Sequence, residues 1–313
     1  MHIARPPATV AALACAATLL VACGAGPRPS STPVGPTPTP PPGTGQVHRG
    51  VTYCTRNGVA LLMDIYIPQQ RADPTPTIVF IHGGDWVLGN RNAISGVSDF
   101  APYIAHGYVV ATIDYRLGEQ AKFPEQIIDA QCAVRFLRAK AGDYGIDANH
   151  IAAMGASAGG HLAALLGVLK GGDQFGAPKE YAKQSSAVQA VVDLFGPTDL
   201  QAPDLTALSD NVARTVFGAP HAGPSPILAR ASPVTYVAPG DPPFLIIHGA
   251  EDGAVPVTQS QELAALLAAA GDQQQLIIVQ HAGHGLTPVD GTPDPTPAAI
   301  VQTILTFLHQ TLG

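Results

Sequence analysis

Charged residues are scarce in this chain. Asp, Glu, Lys and Arg make up 12% of its 313 residues, and the formal net charge is −7. The sequence contains no basic run that would indicate a nucleic-acid partner. Cysteine is also rare, with 4 residues and no C-x-x-C pair, so zinc-finger and thioredoxin-type sites are excluded.

The N-terminal region lacks the mixed composition of a globular domain. Residues 1–22 carry Arg5 near their start and then an apolar stretch that is too short to span a membrane, which is typical of an export signal. The stretch ends in Leu20-Val21-Ala22-Cys23, which resembles a bacterial lipobox. We therefore expect Cys23 to be lipidated and to become the new N-terminus; an ordinary signal peptide with a chance cysteine is the alternative.

Residues 23–46 are predicted to form a linker. They are mostly Pro, Thr, Ser and Gly, with the densest proline run at 36–42. Proline-rich segments stay extended at roughly 3 Å per residue, so this linker would act as a stalk. The expected protein is exported to the bacterial cell envelope and held at a membrane by its N-terminal lipid.

Residues 47–313 have a globular composition and are predicted to form one domain. A hairpin signal at Asn57-Gly58 joins two early strands, and strands and helices alternate after it. The later strands are nearly continuous apolar runs, which indicates burial on both faces. The prediction is an α/β fold with a mostly parallel sheet of about eight strands, flanked by helices. The predicted strands after the hairpin are 77–82, 108–115, 150–154, 189–195, 243–248 and 275–279.

A G-x-S-x-G pattern, Gly155 to Gly159, lies between the predicted strand at 150–154 and a helical segment that continues from His161. A tight strand-to-helix turn holds such a serine in strained geometry, and the glycines on either side avoid clashes. The following helix directs N–H groups at the place where negative charge develops. Ser157 is therefore the predicted nucleophile.

A serine nucleophile needs a base and an orienting acid. His284 follows the last predicted strand between two glycines and is the predicted base, with His281 as its rival. Asp252 follows the preceding strand and is the predicted acid, with Glu251 as the competitor. The chain order Ser, Asp, His is the one that hydrolases with such sheets use.

The oxyanion formed during attack needs N–H donors. His82-Gly83-Gly84-Asp85-Trp86 follows the first buried strand, where glycines allow a close approach to substrate. The predicted donors are the backbone N–H groups of Gly83, Gly84 and Asp85, together with that of Ala158. Trp86 either lines the substrate pocket or packs at the base of the loop.

Together these motifs resemble those of α/β-hydrolase carboxylesterases, in particular the bacterial feruloyl and acetylxylan esterase branch and, more distantly, the hormone-sensitive-lipase-like esterases. The resemblance extends from Tyr53 almost to the C-terminus. The pieces that carry it are DIYIP (64–68), HGGDW (82–86), DYRL (114–117), FPEQIIDA (123–130), GASAGGHLA (155–163), ASPVTYV (231–237), HGAEDGAVPV (248–257) and AGHG (282–285).

The resemblance implies an ester hydrolase with an acyl-enzyme intermediate and without a metal or an organic cofactor. One departure is Asp85, which stands where such esterases usually have a third glycine. Its N–H remains available, and we expect its carboxylate to point away from the oxyanion, toward Arg91 or backbone donors. His161 is expected to be structural, and Asp129 to be a solvated or structural partner.

Several points stay open at this level. Cys54 and Cys132 form a possible disulfide, and the oligomeric state is not indicated. Residues 197–239 are the one long insertion, so little or no cap is expected, and an open site favours small or polymer-attached esters. The alternatives are a serine peptidase or amidase of the same fold, or a non-catalytic surface binding protein.

Overall fold

The computed structural model describes residues 39–93, 99–221 and 225–313. The predicted signal peptide at 1–22, the proposed lipidation site Cys23 and most of the linker lie outside the described residues. In the part of the chain that is described, no helix has both the length and the apolar character needed to cross a bilayer.

Eight strands form one sheet: β1 (Thr44–Arg56), β2 (Val59–Pro68), β3 (Thr75–Ile81), β4 (Val109–Ile113), β5 (Ile146–Ala156), β6 (Ala190–Leu194), β7 (Phe244–Gly249) and β8 (Gln274–Val279). Their order across the sheet is β1-β2-β4-β3-β5-β6-β7-β8. The β1–β2 and β2–β4 pairs are antiparallel, and all other neighbours are parallel. The sheet therefore has the predicted mostly parallel arrangement.

The α-helices are α1 (Ala101–Ala105), α2 (Glu125–Ala139), α3 (Ala141–Tyr144), α4 (Ala158–Val168), α5 (Asp210–Val212), α6 (Pro226–Ala231), α7 (Thr258–Ala270) and α8 (Pro297–Leu312). A π-helical turn (Ala213–Phe217) and 3-10 turns (Pro233–Tyr236 and His284–Leu286) are the other helical segments among the described residues. The insertion at 197–239 thus contains only short helical pieces in its described part.

Strand β3 shows why the apolar runs are needed. Val79 and Ile81 belong to the core on one side of the sheet, which includes residues of α2, α4 and α7. Ile78 and Phe80 belong to the core on the other side, which includes residues of α1 and α8. Because successive side chains of a strand point to opposite faces, a sheet covered by helices on both faces requires apolar residues at every position.

The first strand begins earlier than the sequence indicates. The predicted domain boundary is Val47, but β1 starts at Thr44, which pairs with Pro68. The backbone N–H of Gln69 donates to the carbonyl of Gly43 at 2.9 Å. Backbone pairing with β2, rather than any apolar pattern, extends the strand into the last residues of the predicted linker.

Cys54 in β1 and Cys132 in α2 form a disulfide, with their Cα atoms 6.5 Å apart. Both residues are buried. The possible pairing left open by the sequence is therefore present in the structure, and it ties the antiparallel edge of the sheet to α2.

Asp129 is a structural residue and not a solvated one. Its buried carboxylate accepts hydrogen bonds from the backbone N–H of Arg116 at 3.0 Å and from the Arg116 Nε at 2.8 Å. The Arg116 guanidinium also pairs with Glu125. A buried carboxylate is retained at low cost only when it is paired in this way.

Candidate active site

The turn between β5 and α4 places Ser157 in a strained conformation. Its φ is +55° and its ψ is −121°, which is rare for a residue with a side chain. A Cβ at Gly155 would collide with the Gly159 carbonyl, and one at Gly159 would collide with the Ile81 carbonyl. Both glycines of the motif are therefore required by close backbone contacts, as the tight turn predicts.

The structure brings Ser157, His284 and Asp252 together, although they come from three separate strand ends. The Nε2 of His284 lies 3.0 Å from the Oγ of Ser157. The Nδ1 of His284 lies 2.8 Å from the Oδ2 of Asp252. Because an ionised carboxylate only accepts, Nδ1 carries the proton and Nε2 is free to accept the proton of the serine hydroxyl.

The two rival residues are directed elsewhere. Glu251 accepts a hydrogen bond from the backbone N–H of Ala282 at 2.8 Å. His281 contacts the Asp290 carboxylate through Nδ1, also at 2.8 Å, and both of these side chains are largely exposed. Neither rival contacts Ser157, so the geometry favours His284 and Asp252.

The environment of Asp252 keeps its carboxylate charged. Burial by itself raises the pKa of Asp252, but contacts with His248 and His284 and the N–H of Val255 outweigh burial and hold the pKa well below its usual range. Its Oδ1 accepts from the backbone N–H groups of Ala254 and Val255, each at 2.9 Å. A fixed negative charge therefore faces His284, where it would stabilise the imidazolium formed during catalysis.

The predicted oxyanion loop lies against the nucleophile. A Cβ on Gly83 would stand 2.8 Å from the Ala156 carbonyl and 3.3 Å from the Ser157 Cβ. Gly84 has φ +113°, and a Cβ there would collide with the Leu88 carbonyl. Close approach and a positive φ thus account for this glycine pair. The N–H of Ala158 begins α4, where the first amides of a helix have no intrahelical acceptor.

The partners predicted for the Asp85 side chain, Arg91 or backbone donors, are wrong, while its direction away from the oxyanion stays a prediction. Arg91 is occupied by two other carboxylates: its Nε donates to Asp64 at 2.8 Å and its Nη1 to Asp114 at 2.5 Å. Within the described ranges Asp85 makes no hydrogen bond or ion pair. Its φ of +52° lies in the region that glycine favours and that Asp tolerates better than most residues. Asp64 and Asp114, which bind Arg91 in place of Asp85, are distant from Arg91 in sequence, so only the folded structure reveals that they take this partner.

Trp86 packs at the base of the loop, which decides between its two predicted roles. It is 2% exposed, and its Nε1 donates to the Nδ1 of His161 at 3.1 Å. The Nε2 of His161 lies 2.8 Å from the Ala231 carbonyl. Burial lowers the pKa of His161 to about 4, against a smaller effect of that carbonyl, so the imidazole is neutral. His161 is therefore structural, as predicted.

Two further residues near the triad have no role in the sequence prediction. The ring of Phe195 packs edge-on against the His284 imidazole with centroids 5.0 Å apart. His248 is buried and reaches the carboxylate of Asp252. The only signal for either is its position at or just beyond the carboxyl end of a parallel strand, where side chains of such sheets meet a common site.

A serine on a tight turn, an imidazole and a buried carboxylate meet at the carboxyl ends of parallel strands. Together with the sheet order, this arrangement defines the protein as an α/β-hydrolase. The BD-FAE family model matches residues 63–267. The chain therefore belongs to the BD-FAE family.

Comparison with known proteins agrees with this assignment. Esterase LipC from Mycobacterium tuberculosis is 32% identical over 287 residues, which cover 88% of this chain and 70% of LipC. The chain spans about half the length of several other mycobacterial and plant esterases that it matches.

The similar solved structures are also esterases. A truncated carbohydrate esterase from gut microbiota is 29% identical with a TM-score of 0.75, and the match covers 86% of this chain and 97% of that one. Propionate-bound esterase 2 of Thermogutta terrifontis is 28% identical with a TM-score of 0.67, covering 86% and 94%. The protein is a carboxylic-ester hydrolase of the serine type.

Proposed function

We propose that this protein hydrolyses small or polymer-attached esters through an acyl-enzyme on Ser157. The observation that carries the proposal is the pair of contacts made by His284, at 3.0 Å to the Ser157 Oγ and 2.8 Å to the Asp252 Oδ2. These contacts give one imidazole both a nucleophile to activate and a charge to stabilise its cation.

The reaction proceeds in two halves. Ser157 Oγ attacks the ester carbonyl while His284 Nε2 takes its proton, and the resulting oxyanion faces the N–H groups of Ala158 and of the Gly83–Asp85 segment. His284 then returns the proton to the departing alcohol, which leaves an acyl group on Ser157. A water molecule, deprotonated by His284, releases the acid and restores the serine.

Two observations support the proposed substrate class. One solved relative is described as a carbohydrate esterase and another as an esterase with bound propionate, which fits short acyl groups and polymeric alcohols. In addition, residues of the insertion line an open cavity of about 800 Å³, and its wall residue Thr206 donates to the Gly253 carbonyl at 2.7 Å. That hydrogen bond joins the cavity wall to the turn that follows Asp252.

The nucleophile is tested with p-nitrophenyl acetate and a fluorophosphonate probe. Wild-type protein should turn over the ester and gain one probe adduct on Ser157 by peptide mass spectrometry. The Ser157→Ala variant should do neither, since only the Oγ is removed. Equal turnover by both proteins, or an adduct on another residue, would refute the assignment of Ser157.

The substrate class needs a separate test. Acetylated or feruloylated xylan and p-nitrophenyl acetate are compared with a long-chain triglyceride and with the matching p-nitroanilide. The proposal expects release of short or aromatic acids from the first two and little from the others. A preference for the triglyceride or for the amide would contradict it.

The proposed location rests on the N-terminal sequence. We propose that the chain is exported, lipidated at Cys23 and tethered by residues 24–43, which at roughly 3 Å per residue would reach some tens of ångströms. In a bacterial host, labelled palmitate should enter the wild-type protein but not Cys23→Ala, and the variant should leave the membrane fraction. Equal labelling of both would contradict the anchor.

A further inference from the structure

A second histidine contacts the same carboxylate oxygen of the proposed triad as His284. His248 is in β7 and is fully buried. Its Nε2 lies 3.3 Å from the Oδ2 of Asp252 and 2.8 Å from the carbonyl of Val255. Its Nδ1 lies 2.6 Å from the hydroxyl of Ser260, which belongs to α7.

The protonation of this imidazole follows from its partners. The Val255 carbonyl has no proton to give, so the Nε2 of His248 must carry one. That N–H is directed to the carbonyl and presents its positive end to the Asp252 carboxylate as well. The Ser260 hydroxyl satisfies the other nitrogen, which leaves no freedom for the ring to rotate.

The Nε2–H of His248 therefore contacts two parts of the turn that follows β7, the Asp252 carboxylate and the Val255 carbonyl. Asp252 Oδ1 is bound by the N–H groups of Ala254 and Val255, and the carbonyl of that same Val255 is bound by His248. Without His248, the Val255 carbonyl would be buried without this donor, and Oδ2 would keep His284 as its side-chain partner. Both the position and the charge of the carboxylate depend on this contact.

We propose that His248 is a positioning residue for the hydrolytic reaction, which orients the Asp252 carboxylate toward His284 through a continuous path from Ser260 to Ser157. The inference rests on the triad proposed above. His248 touches neither the substrate nor Ser157, so its effect must pass through Asp252.

That dependence defines the decisive experiment, a double-mutant cycle on ester hydrolysis. His248→Leu should lower kcat about tenfold with KM changed less than about twofold, because small displacements of supporting groups weaken chemistry more than binding. In an Asp252→Asn background the same change should cost less than about twofold, because the carboxylate that His248 positions is gone. His248→Gln, whose amide N–H replaces the Nε2 donor, should regain most of the lost kcat.

The proposal is overturned if His248→Leu lowers kcat equally in both backgrounds, or if Gln is no better than Leu. Either result would show a general packing role. These outcomes are separate from failure of the triad itself, which would appear as activity retained by Ser157→Ala or by Asp252→Asn.

A milder pair of variants covers the case in which His248→Leu does not fold. Ser260→Ala removes only the hydroxyl that fixes the His248 ring, and we expect kcat to fall about threefold because the ring gains freedom. Ser232→Ala is the matched control, since this buried serine bonds the Leu228 carbonyl and the Leu200 N–H in the insertion. An equal effect of the two alanine variants on kcat would refute the positioning role.

Discussion

Two histidines in the loop after β8 each contact an aspartate at the same distance, although one of these aspartates follows β7. In each pair the Nδ1 of the histidine is 2.8 Å from a carboxylate oxygen: His284 with Asp252, and His281 with Asp290. The surroundings differ. The Asp252 side chain is fully buried and the His284 side chain is 33% exposed, whereas His281 and Asp290 are 49% and 64% exposed.

A short histidine–carboxylate distance is thus common to the proposed catalytic pair and to the surface pair, so distance alone does not distinguish them. Water screens the exposed pair and weakens it, as it does most surface ion pairs. The buried pair acts in a less polar environment and is held by the backbone N–H groups of Ala254 and Val255. Its imidazole also faces Ser157. Burial and anchoring, rather than bond length, distinguish the proposed triad from the surface pair.

The largest expected effect comes from removing the charge of the buried pair. Asp252→Asn should lower kcat for p-nitrophenyl acetate about ten-thousand-fold, as loss of this charge favours the wrong imidazole tautomer. Steady-state kinetics on the folded variant provide the measurement, with circular dichroism as the check on folding. A loss below tenfold would mean that Asp252 is not the acid of this site.

The second prediction concerns the effect of burial on the pKa of Asp193, a carboxylate outside the proposed triad. Burial raises the pKa of Asp193 to about 6, although the N–H of Gly196 and the electrostatic effect of nearby His248 oppose this. Between the unfolded pKa near 3.8 and about 6, the native state binds the proton and the unfolded state does not. This contribution to stability is therefore present at low pH and is lost as pH rises through about 6.

Asp193→Asn should remove that dependence. Between pH 4 and pH 7 the free energy of unfolding of the wild type should fall relative to that of the variant by up to about 3 kcal/mol, at about 1.4 kcal/mol for each pKa unit. Urea unfolding at four pH values in this range tests the difference. Parallel pH curves for the two proteins would show that Asp193 keeps an ordinary pKa.

The smallest effect is expected at the exposed pair. The hydrogen bond and charge of Asp290 raise the pKa of His281, so Asp290→Asn should bring that pKa down toward its ordinary value. Histidine resonances followed by NMR over a pH titration would record the shift. Activity on p-nitrophenyl acetate should stay within about twofold of wild type, since screened surface pairs contribute little. A large loss of activity would place this pair in the catalytic site.

The residues of the site differ in how well the sequence predicts them. Ser157, Asp252 and His284 each lie in a short motif beside a predicted strand, and parallel strand ends meet at one edge, so their meeting could be anticipated. The partners of Arg91 and Trp86 could not be anticipated. Asp64 lies 27 residues from Arg91 and His161 lies 75 residues from Trp86, and no local motif marks either as that partner. Such contacts depend on how side chains compete for space after the sheet has formed.

The strands likewise differ in how well the sequence predicts their bounds. Apolar runs predict β3 to β8 within a few residues, since burial on both faces demands them. The start of β1 at Thr44 is set by backbone hydrogen bonds to β2, which side-chain composition does not encode. His248 was missed for a related reason: nothing local distinguishes a histidine that holds a catalytic carboxylate from one that fills a core.

The disulfide between Cys54 and Cys132 closes a covalent ring that includes some residues of the predicted site and leaves others outside. The covalent ring that it closes spans 78 residues and contains Gly83 and Gly84, while all three residues of the triad lie outside the ring, on the C-terminal side. Closing a ring of that size restricts the unfolded chain by roughly 4 to 5 kcal/mol in the chain-entropy description. An oxidising compartment would thus favour folding through a bond whose ring contains the predicted oxyanion segment 83–85, whereas the predicted donor Ala158 and the proposed triad lie outside the ring.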